Sequence, residues 1–134
     1  MNSSLKATEK QLQGSIMELC ELLNIIAFHS GDPRRDSVAG FPDLVLIGTR
    51  VIYVELKTEK GRTSKSQDIM HTRLNKSGVE FYLWRPSDWN EIKTVLQGMR
   101  APATYPRPLP QTRRSPRPAG TKPPRGASRG RTNR

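Results

Sequence analysis

Residues 40–57 read GFPDLVLIGTRVIYVELK, and their pattern decides the fold. Asp43-Leu44-Val45-Leu46-Ile47 is a continuous apolar run behind Phe41-Pro42. Gly48-Thr49-Arg50 is turn chemistry, and Val51 to Lys57 is a second extended arm, so the stretch predicts a β-hairpin. In the second arm Ile52, Val54 and Leu56 share one face, while Val51, Tyr53, Glu55 and Lys57 share the other. Three charged groups, Asp43, Glu55 and Lys57, therefore fall at one end of a hairpin that is otherwise apolar. Charge buried in a sheet is costly unless paired or bound to a cation.

Register decides whether the two carboxylates meet, because opposed residues on antiparallel strands point to the same face. If Ile47 opposes Val51, Asp43 opposes Glu55, and the pair is ready to share a divalent cation. If Ile47 opposes Arg50, Asp43 opposes Val54 and points away, unless a bulge repairs the phase. The bland alternative is a solvent-edge hairpin end carrying a surface Glu–Lys pair.

Working outward, Thr8 and Gln11 fit a capping box ahead of Leu12, Ile16, Leu19 and Leu23, one helical stripe that ends near Asn24. Ile25 to Phe28 reads as a short strand, and residues 30–40 as a loop. Downstream, Ser64 and Gln67 form a second capping box on a helix that stops at Gly78, with Ile69, Met70 and Leu74 as a thin apolar stripe. Val79 to Trp84 is a strand, and Ser87 is expected to cap a last helix running to about Gly98. The order is αβββαβα, which predicts a mixed sheet with helices on its faces.

Glu9 opens the first helix about 60° from its apolar stripe, so it is the helix acid able to turn toward the sheet. An acid there is also favoured by the helix dipole alone. Oxygen donors of this kind suit Mg²⁺ or Mn²⁺. A lysine beside them can position a water or stabilise developing phosphate charge. Hydrolysis of a phosphodiester is the natural chemistry of the set.

The charge is unevenly distributed. Of 134 residues with a net charge of +11, residues 1–100 carry 14 Lys+Arg against 12 Asp+Glu, a net of +2. Residues 101–134 carry 9 Lys+Arg and no acid, with 8 of the 11 prolines. We read 1–100 as one domain and 101–134 as a disordered Arg/Pro-rich tail, too poor in apolar side chains to offset the entropy of ordering. Acid-free arginines such as Arg113, Arg114 and Arg117 are a footprint for polyanions. The loop cations Arg34, Arg35, Lys60, Arg62 and Lys65 are solvated loop charge or, if the fold sets their loops at the charged end of the hairpin, contacts to a nucleic-acid backbone, which position substrate without reading sequence. His71, in the second helix, reads as structural. One cysteine, Cys20, excludes an internal disulfide and a Cys-based zinc site. No apolar run is long enough for a membrane span. With no apolar leader at the N-terminus, the expected compartment is the cytoplasm.

Gly40-Phe41-Pro42-Asp43-Leu44, followed by Glu55-Leu56-Lys57, resembles the PD-(D/E)XK nucleases. The longer pattern, GFPDLVL, ELKTEKGRTSKSQ and GVEFYLWRPSDW, is similar to the VRR-NUC branch of that superfamily over about residues 8–97. The resemblance implies a restriction-endonuclease-like fold and Mg²⁺-dependent endonuclease cleavage of DNA, in some members at four-way junctions. By position it implies Asp43, Glu55 and the Leu56 backbone carbonyl as metal ligands, with Glu9 as the helix acid. Lys57 would be the lysine near the attacking water, and Gln67 would orient the site or contact the phosphate backbone. Cutting a symmetric junction favours a homodimer. The competing expectation is a non-catalytic module that binds nucleic acid through its tail.

Overall fold

The computed structural model describes residues 7–30 and 38–110. Helix α1 (Glu9–Leu22) leads into β1 (Ile26–His29), β2 (Leu44–Ile47) and β3 (Val51–Leu56). Helix α2 (Lys65–Ser77), β4 (Phe81–Trp84), a 3₁₀ turn (Pro86–Asp88) and α3 (Trp89–Gly98) follow. The sheet order is β1-β2-β3-β4, antiparallel except for the parallel β3–β4 pair. This is the mixed sheet of the expected αβββαβα order.

Both predicted capping boxes form. Thr8 and Ser64 accept from the N–H of Gln11 and Gln67, and each glutamine side chain returns the bond to its cap's N–H. At the last helix the expected start at Ser87 is corrected. Pro86 opens a 3₁₀ turn, and the α-helix begins only at Trp89, with no side-chain cap bond.

Alternation along the strands builds the core. Leu44, Leu46, Ile52, Val54, Leu56 and Trp84 face one side and are fully buried against Leu12 and Ile16 of α1 and Ile92 and Leu96 of α3. Each such aliphatic side chain contributes roughly 1.5–3 kcal/mol by leaving water. Cys20 joins this core, and burial pushes its thiol up to about 12, so it is not poised as a nucleophile.

The opposite sheet face is only partly covered. Helix α2 lies there but buries no residue, and Ile69, expected on its apolar stripe, is 59% exposed. Toward the β1–β2 edge the face stays apolar and open. Phe28 is 57% exposed, and Phe41, Ile47 and Val51 also remain exposed.

Packing continues past residue 100. Ala101 is buried and its N–H donates to the Leu23 carbonyl, and Asn24 Nδ2 donates to the Pro102 carbonyl. Arg107 donates to Asn24 Oδ1 at 2.6 Å and to the Glu21 carbonyl at 3.1 Å. That second bond adds a cationic donor to a carbonyl in the last turn of α1, which has no basic residue of its own. The rest of the expected tail, 111–134, lies outside the described residues. Among those described, no helix is long and apolar enough to cross a membrane.

Candidate active site

The hairpin takes the register that brings the carboxylates together. Ile47 pairs with Val51 and Leu44 with Val54, so the next rung is Asp43 opposite Glu55. Asp43 stands just before β2: its carbonyl accepts the Ser30 N–H, and its side-chain Oδ2, in place of a backbone carbonyl, accepts the Leu56 N–H at 2.8 Å. The Asp43 side chain is thus pinned to the backbone of β3 beside Glu55.

Glu55 is the only charged residue among the buried ones described, at 1% exposure. Its Oε1 accepts from Gln67 Nε2 at 2.9 Å. Its Oε2 is enclosed and has no hydrogen-bond partner. Burial, and then the Asp43 carboxylate beside it, push the Glu55 carboxyl up to about 8, while Lys57 pulls the other way. A buried carboxylate with an orphaned oxygen, facing a second carboxylate, is an arrangement that a hard cation would complete. The residues present therefore fit a divalent metal through oxygen donors.

Gln67 reaches Glu55 because the loop before Asp43 runs directly against the first turn of α2. Gly40 has φ +83°, and a Cβ there would stand 2.3 Å from the Ser66 carbonyl oxygen. Glycine is required both for the left-handed backbone and for the close approach.

One contributor was not legible as functional. His71, read from sequence as structural, lies one helical turn beyond Gln67, on the same side of α2. Its Nε2 stands 3.8 Å from Glu55 Oε2, and neither atom has a hydrogen-bond partner. Its ring packs on Phe81, with centroids 4.5 Å apart. Burial lowers its pKa, so the imidazole is held neutral. The available signal was the i, i+4 spacing from Gln67.

The other predicted residues divide. Lys57 continues β3 by one residue, its N–H donating to the Trp84 carbonyl, and is half-buried. Lys60 and Arg62 are exposed on the following loop, and Lys65 is exposed in the first turn of α2. Glu9 is exposed in the first turn of α1, and its charge is the smallest influence on Glu55. Among the described residues no three His, Cys, Asp or Glu side chains group closely enough to hold a metal together. Asp43 and Glu55 thus form a pair, and Glu9 does not complete a triad with them. Arg34, Arg35, Arg113, Arg114 and Arg117 lie outside the described residues.

A mixed sheet flanked by helices, with an Asp on one hairpin strand and Glu-x-Lys on the other, defines a restriction-endonuclease-like domain. The VRR-NUC domain family matches residues 8–88, and the chain belongs to that family, a branch of the PD-(D/E)XK nuclease superfamily. A solved structure described as a VRR_NUC domain superposes with a TM-score of 0.54 at 24% identity. That match covers 68% of this chain and 97% of the solved one. It supports the same fold. A comparison with curated proteins gave no match.

Proposed function

We propose that the chain is a metal-dependent endodeoxyribonuclease that hydrolyses phosphodiester bonds, branched DNA included. The observation that carries this reading is Glu55, buried with one oxygen orphaned, beside the Asp43 carboxylate and two residues from Lys57. Asp43, Glu55 and the Leu56 carbonyl would hold Mg²⁺ or Mn²⁺. Such an ion supplies charge neutralisation at the phosphate and activation of water.

The chain's own groups do the rest. Gln67 holds Glu55 Oε1 in place, and the Leu56 N–H holds Asp43 Oδ2. Lys57, extending the strand beyond the pair, orients the attacking water or meets the charge that develops on the phosphate. Glu9 adds negative charge at the near end of α1. Lys60, Arg62 and Lys65 border the site and would engage the DNA backbone without reading sequence. The basic residues beyond 110 would add a salt-sensitive grip on the polyanion.

For symmetric cutting, the open apolar face bearing Phe28, Ile47 and Val51 is the surface a second copy would cover. Monomers seldom leave larger apolar patches bare.

The test is cleavage of labelled four-way junction, flap, duplex and single-stranded DNA with Mg²⁺, Mn²⁺ or EDTA, alongside Asp43→Ala. Metal-dependent cutting lost in the variant is expected. Cutting that survives chelation overturns the mechanism. Binding without cutting on every substrate replaces it with a module that holds nucleic acid through its tail.

A further inference from the structure

Where β3 and β4 end, the parallel ladder gives way to an unusual clamp. Leu56 pairs with Trp84, and the Lys57 N–H still donates to the Trp84 carbonyl. The residue just after β4, Arg85, sends its side chain beneath the loop that follows Lys57. A single nitrogen, Nη1, donates to the carbonyls of Thr58 at 2.6 Å, Gly61 at 2.7 Å and Glu59 at 3.3 Å. Three carbonyls converge on one point only if the loop curls into a ring, and the Gly61 N–H closes it by donating to the Thr58 carbonyl.

Among the described residues no carboxylate pairs with this half-buried guanidinium. Its charge is met by carbonyl dipoles. The clamp is itself held from the other side. The Arg85 N–H donates to Asp88 Oδ2 at 2.8 Å, and the Ser87 N–H donates to Glu59 Oε2 at 3.1 Å. The curled loop comes back near the stem of Lys57: a Cβ added to Gly61 would meet Thr58 Oγ1 at 2.8 Å and touch Lys57 Cδ at 3.6 Å, so Gly61 lies about one methyl group from the stem.

We infer that Arg85 is a positioning residue for Lys57: by gathering the Thr58, Glu59 and Gly61 carbonyls it holds the loop within a methyl group of the lysine stem and so limits where the ammonium group can point. The inference rests on the proposed nuclease reading for its consequence, but not for its geometry. A lysine stem is flexible and costly to order, so a catalytic ammonium on it needs a brace. The loop is polar and glycine-containing, with no buried residue from Thr58 to Ser64. Without Arg85 its three carbonyls have no shared donor.

Two measurements on the full chain test it. In protein carrying ¹³C-labelled lysine, the Lys57 side-chain signal is assigned as the one missing from Lys57→Met. That signal is expected away from the random-coil position in the wild type and collapsed onto it in Arg85→Met. In Arg85→Lys it should be substantially restored, because an ammonium has three donors for the three carbonyls. Gly61→Ala, whose methyl would crowd Thr58 Oγ1 and fill the gap to Lys57 Cδ, should also displace it, and this variant serves if Arg85→Met fails to fold. An unmoved Lys57 signal in a folded variant, or a wild-type signal already at random coil, overturns the inference.

The second measurement is a double-mutant cycle on DNA cleavage. Arg85→Met should lower kcat on the order of 10²-fold with little change in KM, and cost little further in a Lys57→Met background. Full additivity overturns the coupling. If the wild type cuts no substrate, the nuclease reading fails while the lysine signal still decides the role of Arg85.

Discussion

Gln67 donates from Nε2 to Glu55 Oε1 at 2.9 Å, and its Oε1 accepts the Ser64 N–H at the same distance. One amide therefore both caps α2 and holds the buried carboxylate. The helix start and the candidate active site are a single hydrogen-bonded unit, and local helix chemistry sets the position of a group on the sheet. Ser64→Ala removes the cap alone and should cost about 1 kcal/mol of stability with little change in cleavage. Gln67→Ala should cost a similar amount and also lower cleavage roughly 10- to 100-fold, as loss of a partner orienting a ligand does. Thermal unfolding beside single-turnover rates separates the two. Equal rates in both variants would contradict the link.

The second prediction concerns pH. Glu55 has a folded pKa of about 8 against 4.5 for the free carboxyl. Between these values the folded chain binds more protons than the unfolded one, so stability falls as pH rises through this window. In metal-free protein the melting temperature should therefore decline from pH 5 to pH 9. Glu55→Gln should flatten that decline and melt above the wild type at pH 9. Added Mg²⁺ should stabilise the wild type at high pH and not the variant. A decline of equal size in Glu55→Gln would place its origin elsewhere.

His71→Phe keeps the ring on Phe81 and deletes the unpartnered nitrogen. Removing a buried, unsatisfied polar atom is close to neutral for stability. Divalent-metal affinity, measured by titration calorimetry, is expected to fall roughly 10-fold, because Glu55 Oε2 loses the imidazole nitrogen that stands 3.8 Å away. Unchanged affinity would leave His71 as packing.

Truncation should separate fold from grip. Ending the chain after residue 100 removes the Ala101, Pro102 and Arg107 contacts on the end of α1 and should lower stability by about 1–3 kcal/mol. Ending it after residue 110 spares those contacts and removes eight Lys+Arg. It should leave the melting temperature unchanged, weaken DNA binding and flatten its salt dependence. Unchanged salt dependence would exclude the tail from binding.

Much of the fold was legible because its signals are local. Both capping boxes, the two-fold alternation of β3 and the apolar stripe of α1 each depend on residues within a few positions of one another. The last helix was misplaced for the complementary reason. Ser87 has cap chemistry, but it makes no side-chain cap bond, and its N–H is held by Glu59, 28 residues away. The outer stripe of α2 misled in the same way, since periodicity marks an apolar side and does not say how much of it the sheet will cover.

The sequence by itself determined the element order, the two faces of the central hairpin and the presence of Asp43, Glu55 and Lys57 at one end of it. Those follow from side-chain period and turn chemistry, which act along the chain. Only the tertiary structure decided that Asp43 and Glu55 share a rung, that Gln67 and His71 close over Glu55, and that Glu9 stays apart. It also decided that residues 101–107 belong to the packed body and that Arg85 gathers the loop behind Lys57. The reason is physical: strand register, burial and the convergence of hydrogen bonds are relations between distant segments, and their energies arise only when those segments meet.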